Sequence, residues 1–308
     1  MLRLPLAPAR ALIAGLVLLI LAIAVPGSAL AQTAPKQPVI DSAPSRIGYR
    51  NDARISGHLE GFTPGDEVAL QRKDQYAWND VKIKPVDNAG EVRFTLVDKV
   101  TTDTYRLAYT GPAGETSTSD EVTIKVRPRL TLSLSRSDVM VGGTVKLTGV
   151  LEPPREGRQV KLQQRVDGDW KEIATVAAGD GTFAYSFTPQ RSGARGLRVL
   201  FWADGQNAGN VATRVLSVYR QAEATWYGPG FYGERTACGK RLTKDTLGVA
   251  HRTLPCGTNV DILYRGRTVS VTVIDRGPYT DEDFDLTSRT AERLRFSGSG
   301  WIGVVTGN

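Results

Sequence analysis

This sequence predicts an all-β protein: two tandem immunoglobulin/fibronectin-like β-sandwiches followed by a third β-domain of different character. Three observations lead there. From about residue 39, short alternating apolar and polar segments are separated by Gly, Pro, Asn and Asp, the pattern of short strands joined by tight turns. The central part repeats itself at an offset of about 92 residues. Thr225–Pro278 gathers both cysteines, one of the two histidines and a loop rich in glycine and aromatic residues.

The first 31 residues read as a secretory signal peptide. Arg3 and Arg10 supply the positive start, Ala11–Val25 the apolar run, and Ala29-Leu30-Ala31 the small-residue site, so cleavage is expected after Ala31. The run is shorter than the roughly 20 residues of a spanning helix; an uncleaved anchor is the alternative reading. Residues Gln32–Pro38 read as a linker. The expected location is secreted or cell-wall associated, an oxidising compartment where paired cysteines bridge. Cys238 and Cys256 are the only two, so an intramolecular disulfide must join them. Closing that loop contributes about 3 kcal/mol on the chain-entropy account. The net charge of +7 is spread over interspersed residues. Without a Lys/Arg tract it gives no support to nucleic acid as partner. A mild basic excess suits work near anionic polymers and equally suits simple solubility. A monomer is expected.

The repeat is visible in matched segments. Gly57-His58-Leu59-Glu60 answers Gly149-Val150-Leu151-Glu152, and Val68-Ala69-Leu70-Gln71 with Trp78 answers Val160-Lys161-Leu162-Gln163 with Trp170. Tyr105-Arg106-Leu107 likewise answers Leu197-Arg198-Val199. Each copy is read as a sandwich of about 90 residues, over 39–128 and 129–220. Pro128 interrupts strand-like sequence between them, and a second boundary is placed near Arg220–Ala222. The two tryptophans are read as filling or capping the cores. His58 has no counterpart in the second copy and reads as a lone surface or satisfied histidine. Neither copy shows a catalytic constellation, so the pair reads as a spacer or a binding arm for other cell-wall components.

In the third domain, 221–308, Asn259–Tyr264 and Arg267–Ile274 read as a hairpin about Arg265-Gly266. Alternation puts Val269, Val271 and Val273 on one face and carries that face to Asp275 before Gly277-Pro278 ends the strand. Desolvation at the rim of an apolar row favours the protonated form of a carboxyl, as general acid catalysis requires. The same parity through Leu247 and Val249 puts His251 at the end of another row. Two ionisable groups so placed in one small domain raise the functional reading above the structural one. Trp226, Tyr227, Phe231 and Tyr232 lie in one glycine-rich loop and offer aromatic faces suited to pyranose rings. Gly228, Gly230 and Gly233 match a dinucleotide loop in spacing only, with a proline inside and no helix after, so no cofactor is expected. Asp281, Glu282, Asp283 and Asp285 lack the ligand spacing of a calcium site, and no metal is expected.

Several ordered motifs then converge: Trp226-Tyr227-Gly228, Thr236-Ala237 followed by Gly239, Ala250-His251-Arg252-Thr253-Leu254-Pro255, Asp275-Arg276-Gly277-Pro278, and Asp285-Leu286 before a short helix. Over about Ala224–Val305 the chain resembles the rare lipoprotein A (RlpA) family. The resemblance implies a six-stranded double-psi β-barrel shared with expansins, and a lytic transglycosylase acting on peptidoglycan glycan strands. In that chemistry an acid protonates the glycosidic oxygen, the muramyl O6 attacks the anomeric carbon, and a 1,6-anhydro end forms without water. One carboxyl switching from acid to base suffices, unlike the paired carboxylates usual in glycoside hydrolysis. The resemblance implies Asp275 as that acid and base, His251 as the group that hydrogen-bonds and orients it or stabilises developing charge, Asp285 as a second acid of the groove and Arg276 beside the substrate. Asp285 reads equally well as a helix N-terminal acid next to the helix over 287–294. The chain departs from the family pattern at Lys240, where many members carry a glutamate. The alternative function is a non-catalytic, expansin-like glycan-binding or wall-loosening protein.

Overall fold

Residues 36–307, those that the computed structural model of the protein describes, are almost wholly β with one short helix. The reading of residues 1–31 as a signal peptide lies outside the described residues. The first strand begins at Gln37, inside the stretch read as linker.

The first copy consists of β1 (Gln37–Ser42), β2 (Arg46–Gly48), β3 (Ala53–Glu60), β4 (Glu67–Lys73), β5 (Trp78–Pro85), β6 (Glu91–Leu96), β7 (Asp103–Thr110), β8 (Thr116–Thr118) and β9 (Val122–Arg127). One sheet has the order β1-β3-β6, the other β2-β9-β7-β4-β5 with β8 on β7. Alternation builds the core between them: Ile55, Leu59 and Phe94 from the first sheet meet Leu70, Tyr105, Leu107 and Ile124 from the second. The second copy repeats the plan with β10 (Arg129–Leu130), β11 (Ser133–Leu134), β12 (Asp138–Met140), β13 (Val145–Glu152), β14 (Gln159–Val166), β15 (Asp169–Ala177), β16 (Thr182–Phe187), β17 (Gly193–Phe201) and β18 (Asn210–Tyr227). Here β10, β11 and β16 pair with β13, while β12, β18, β17, β14 and β15 form the opposing sheet.

The glycine common to the two copies has a steric cause. A Cβ on Gly57 would lie 2.2 Å from the Val39 carbonyl oxygen, and one on Gly149 would lie 2.1 Å from that of Thr131. The tryptophans correct the sequence reading. Neither Trp78 nor Trp170 belongs to a core; both lie half-buried on the outer face of the larger sheet, each stacked on an arginine. Outward parity in β5 and β15 decides this, because the inward positions of the neighbouring strands already fill the space.

Side chains and backbone tie the two copies together. Asn207, 2% exposed, donates from Nδ2 to the carbonyls of Val100 and Val126 and accepts from Arg158 Nη2 at 2.6 Å. The Ala208 N–H adds a bond to Val126.

The passage into the third domain occurs within a strand rather than in a linker. β18 pairs with β17 as far as Val218 and with the last strand of the barrel from Arg220. Gly303 of that last strand packs so closely on Met140 and Tyr219 that an added Cβ would lie 2.9 Å from each.

The barrel is completed by β19 (Val249–Ala250), β20 (Asn259–Tyr264), β21 (Arg267–Asp275), β22 (Phe284–Thr287), α1 (Ser288–Leu294) and β23 (Gly300–Thr306). Its order is β18-β22-β19-β21-β20-β23, and β23 returns to β18, closing six strands. The pairs β18–β22 and β19–β21 are parallel, as the double-psi topology requires. The β20–β21 turn has φ of 46° at Arg265 and 77° at Gly266, so both central residues are left-handed, the arrangement of a type I′ hairpin. Val249, Val260, Ile262, Val271, Val273, Leu286 and Val304 fill the interior, and α1 seals one side with Ala291 and Leu294. The Thr287 side chain caps α1 by accepting from the Thr290 N–H.

Two details re-aim the strand ends. Val249 faces Val273, but Ala250 faces Asp275, so Ile274 is an extra residue bulged out of the ladder. The expected strict alternation up to Asp275 therefore stops at Val273. Ile274 turns in and packs over Gly248, where a Cβ would lie 2.4 Å from its Cδ1. The row expected through Leu247 also fails, because Leu247 is exposed while Val249 is fully buried. The Cys238–Cys256 disulfide forms as expected, with Cα atoms 5.7 Å apart.

Gly248→Ala is expected to destabilise the protein by about 1–3 kcal/mol through overpacking, and Ile274→Val in the same chain should recover part of the loss; paired urea melts measure both. Replacing both cysteines by serine should lower stability by about 3 kcal/mol.

Candidate active site

A cleft of about 290 Å³ opens at the end of β21, and its lining brings together Tyr227, Phe231, Ala250, Asp275, Tyr279 and Asp285. The short strand β19 sets the geometry. Ala250 pairs with Asp275 on one side and with Asp285 on the other. The two acids therefore flank one alanine, two strand spacings or roughly 9–10 Å apart along the sheet. The methyl group of Ala250 leaves the space between them open.

The two carboxyl groups sit in different surroundings. Asp275 is half-buried, and its Oδ1 accepts the N–H groups of Ala237 at 2.8 Å and Arg276 at 2.9 Å. Its Oδ2 accepts the Tyr227 hydroxyl at 3.3 Å. Burial, then the Asp275 charge, push the Tyr227 hydroxyl well above its usual range, so it stays a donor. The disulfide matters here because Cys238 follows Ala237, and the Cys238 N–H bonds the Ile274 carbonyl. By contrast Asp285 Oδ1 is buried with no hydrogen-bond partner. Burial first, then the charges of Glu282 and Asp275, push the Asp285 carboxyl up to about 6. A helix N-terminus would act in the opposite direction, and α1 is capped by Thr287, two residues further on. The helix-acid reading of Asp285 thus finds no support in its surroundings.

His251 takes a different place from the expected one. Its Nδ1 accepts the N–H groups of Thr253 and Leu254, and its ring packs on Phe284 with centroids 4.7 Å apart. Burial, with the Arg220 and Arg252 guanidiniums nearby, lowers its pKa from the ordinary range, so the ring is neutral at pH 7. No hydrogen bond joins the imidazole to the Asp275 carboxylate among the described residues; the link is the backbone bond from His251 N–H to the Asp275 carbonyl. The histidine holds the β19 turn against the end of β21. Arg276 lines the cleft, but its Nη1 is committed to backbone carbonyls, that of Leu254 at 3.0 Å among them.

The four aromatics read as one loop divide: Trp226 and Tyr227 end β18, and only Phe231 and Tyr232 lie in the loop after it. Tyr227 and Phe231, in edge contact, line the cleft. Trp226 and Tyr232 line a separate depression with Lys244 and Arg289, and Tyr232 bonds Ser288 at 2.8 Å. Lys240 is exposed and outside the cleft lining, whereas Glu234 and Arg235 line it. Sequence reasoning missed Glu234 and Tyr279, of which only Tyr279, directly after the Gly277-Pro278 stop, carried a signal. Ala237 stood in the Thr236-Ala237 motif, but its N–H was given no role there. A larger and more open groove of about 1060 Å³ lies on the second sandwich, but its buried cation, Arg158, is already paired with Asp204. Size alone does not mark the site.

Comparison with known proteins agrees with the barrel's geometry. Residues 219–306 match the family described as lytic transglycolase, and they form an RlpA-like double-psi barrel domain. A "Probable endolytic peptidoglycan transglycosylase RlpA" of Synechocystis is 46% identical over 80 residues, covering 25% of this chain and 25% of the relative. The "Endolytic peptidoglycan transglycosylase RlpA" of Campylobacter jejuni is 32% identical over 121 residues, 38% of this chain and 43% of the relative. A relative in Aquifex aeolicus, bearing the same name as that of Synechocystis, is 32% identical over 152 residues, 48% and 62% respectively. The chain thus spans between a quarter and about three fifths of the length of these relatives.

Because a buried carboxylate at Asp285 opposes folding, its penalty is full above about pH 6 and disappears as the pH falls toward about 4, where the carboxyl is protonated in both folded and unfolded chains. Asp285→Asn should therefore raise stability at pH 7.5, by about 1 kcal/mol once solvent screening of the part-exposed group and the unpartnered amide are allowed for, with the gain shrinking on acidification. Denaturant melts at the two pH values read this directly.

Proposed function

We propose that the protein works outside the cytoplasm as a peptidoglycan lytic transglycosylase, with the Asp275–Asp285 cleft cutting glycan strands. The observation that carries this reading is the half-buried Asp285 carboxyl, its buried Oδ1 without a hydrogen-bond partner and the group pushed up to about 6, across Ala250 from a hydrogen-bonded Asp275. The named activity of the RlpA relatives and the barrel match over 219–306 support the same substrate class. The disulfide fits an oxidising compartment.

The geometry favours sharing the chemistry between two acids over routing it through Asp275 alone. Asp285 donates its proton to the glycosidic oxygen as the bond from the anomeric carbon breaks. The muramyl O6 then bonds that carbon, closing the 1,6-anhydro ring, and its proton passes to Asp275 Oδ2. Oδ1 of Asp275 is anchored by two amides, whereas Oδ2 accepts only the Tyr227 hydroxyl and keeps a lone pair for the substrate. Tyr227 steadies it, and exposed Phe231 and Tyr279 offer faces to sugar rings at the rim. His251 acts as a positioning residue through the backbone bond to Asp275. Proton return from Asp275 to Asp285 through solvent completes the cycle.

Incubation with purified sacculi should release 1,6-anhydro-muropeptides detectable by mass spectrometry. Asp275→Asn and Asp285→Asn should each lower the rate by about 10²-fold or more, in line with the loss of a general acid or base. Since the acid must be protonated, kcat/KM should fall with rising pH above about 6. A rate flat from pH 5 to 8 would remove Asp285 from this role. Retention of sacculi without anhydro products would leave the barrel as a glycan-binding module.

A further inference from the structure

The two sandwiches carry the same three-residue cluster on their solvent faces, and the barrel chemistry makes no use of it. In the first copy the Arg106 guanidinium lies 4.2 Å from the Trp78 ring centroid, and its Nε donates to Gln71 Oε1 at 2.8 Å. In the second, Arg198 lies 4.2 Å from the Trp170 centroid, and its Nε donates to Gln163 Oε1 at 2.7 Å. A basic residue stands across the strand pair from each tryptophan, Lys73 from Trp78 and Arg165 from Trp170. Core residues match between copies because packing demands it. This face is outside the core, and much of it has diverged: Ala69 answers Lys161, Thr104 answers Gly196, and Thr123 answers Val215, while the acid across from each glutamine, Asp80 and Glu172, is kept. The retained cluster therefore calls for another reason than packing.

Its chemistry supplies one. Each guanidinium is oriented by an aromatic face and fixed at Nε, while Nη1 and Nη2 have no protein partner among the described residues. A planar fork held in this way is preorganised to bind a carboxylate through two parallel hydrogen bonds. The half-buried setting strengthens the contact relative to a free surface arginine. The basic residue beside each tryptophan is already engaged, Lys73 with Glu121 at 3.0 Å and Arg165 Nε with the Gly168 carbonyl at 3.1 Å, so the guanidinium fork carries the recognition. We propose that the two clusters are paired carboxylate receptors through which the sandwiches hold the acidic stem peptides of the wall polymer. The identity of the polymer rests on the proposed function; the receptors rest on the sandwiches alone. Two such sites on one chain act together, so that their joint affinity exceeds either one.

The test uses the full protein carrying Asp275→Asn, so that binding is measured without cutting. The probes are intact sacculi and sacculi whose carboxyl groups have been amidated with carbodiimide. The parent should bind amidated sacculi about tenfold or more weakly than intact ones. Arg106→Lys with Arg198→Lys keeps the charge but loses the fork, and should weaken binding to intact sacculi about tenfold or more, each single change costing less. Binding to amidated sacculi should not change further. A second pair, Gln71→Ala with Gln163→Ala, releases Nε and should weaken binding in the same direction, which covers the case of a lysine pair that does not fold. Undiminished binding by either folded pair, or parent binding indifferent to amidation, overturns the proposal. The barrel reading is scored separately, by anhydro product from the Asp275-intact protein on glycan stripped of stem peptides.

Discussion

The site depends on the pairing of a two-residue strand, Val249–Ala250, between β21 and β22. Double-psi topology threads this short piece into the closed barrel so that one alanine has an aspartate on either side. The pairing is held from below by Gly248, which has no room for a side chain beneath Ile274, and by the buried Thr287–Thr290 pair, which hydrogen-bonds to the Gly248 backbone. The bulge at Ile274 is a consequence of this fit. Without it, the parity of β21 would carry the Asp275 side chain to the other face of the sheet.

Around that pairing the two acids have different surroundings. Asp275 is surrounded by donors because the disulfide-tethered loop brings the Ala237 N–H to it and the strand end adds that of Arg276. Asp285 receives no donor on Oδ1 and sits near two other acids, so its proton is held more tightly. Two residues of one type, about two strands apart, thereby differ in the way that acid and base partners in catalysis differ. The cost is a buried polar atom without a partner, as is common where function rather than stability sets the arrangement.

The same economy of connection governs the long axis of the chain. β18 serves as the last strand of the second sandwich and the first of the barrel, and Gly303 lets the two pack without a gap. Asn207 does for the two sandwiches with side-chain hydrogen bonds what β18 does with a continuous backbone. The repeated clusters on the sandwich faces are thus carried on an arm whose joints are hydrogen-bonded and packed.

Much was determined by the sequence alone, wherever the physics is local or covalent. Alternation marks the strands, the left-handed turn at Arg265-Gly266 makes the hairpin, the two copies share one spacing, and the only two cysteines must pair if they pair within the chain. The ordered motifs likewise pointed to the barrel, and they named two aspartates, Asp275 and Asp285, that line one cleft. What only the tertiary structure decided was where side chains end up once strands distant in sequence become neighbours. His251 turned to its own turn rather than to the Asp275 carboxylate, Trp78 and Trp170 moved out of the cores onto arginines, and Trp226 and Tyr232 parted from Tyr227 and Phe231. A single bulged residue, or the absence of one hydrogen-bond donor, reverses a facing or moves a proton, and neither is written in the periodicity of a strand.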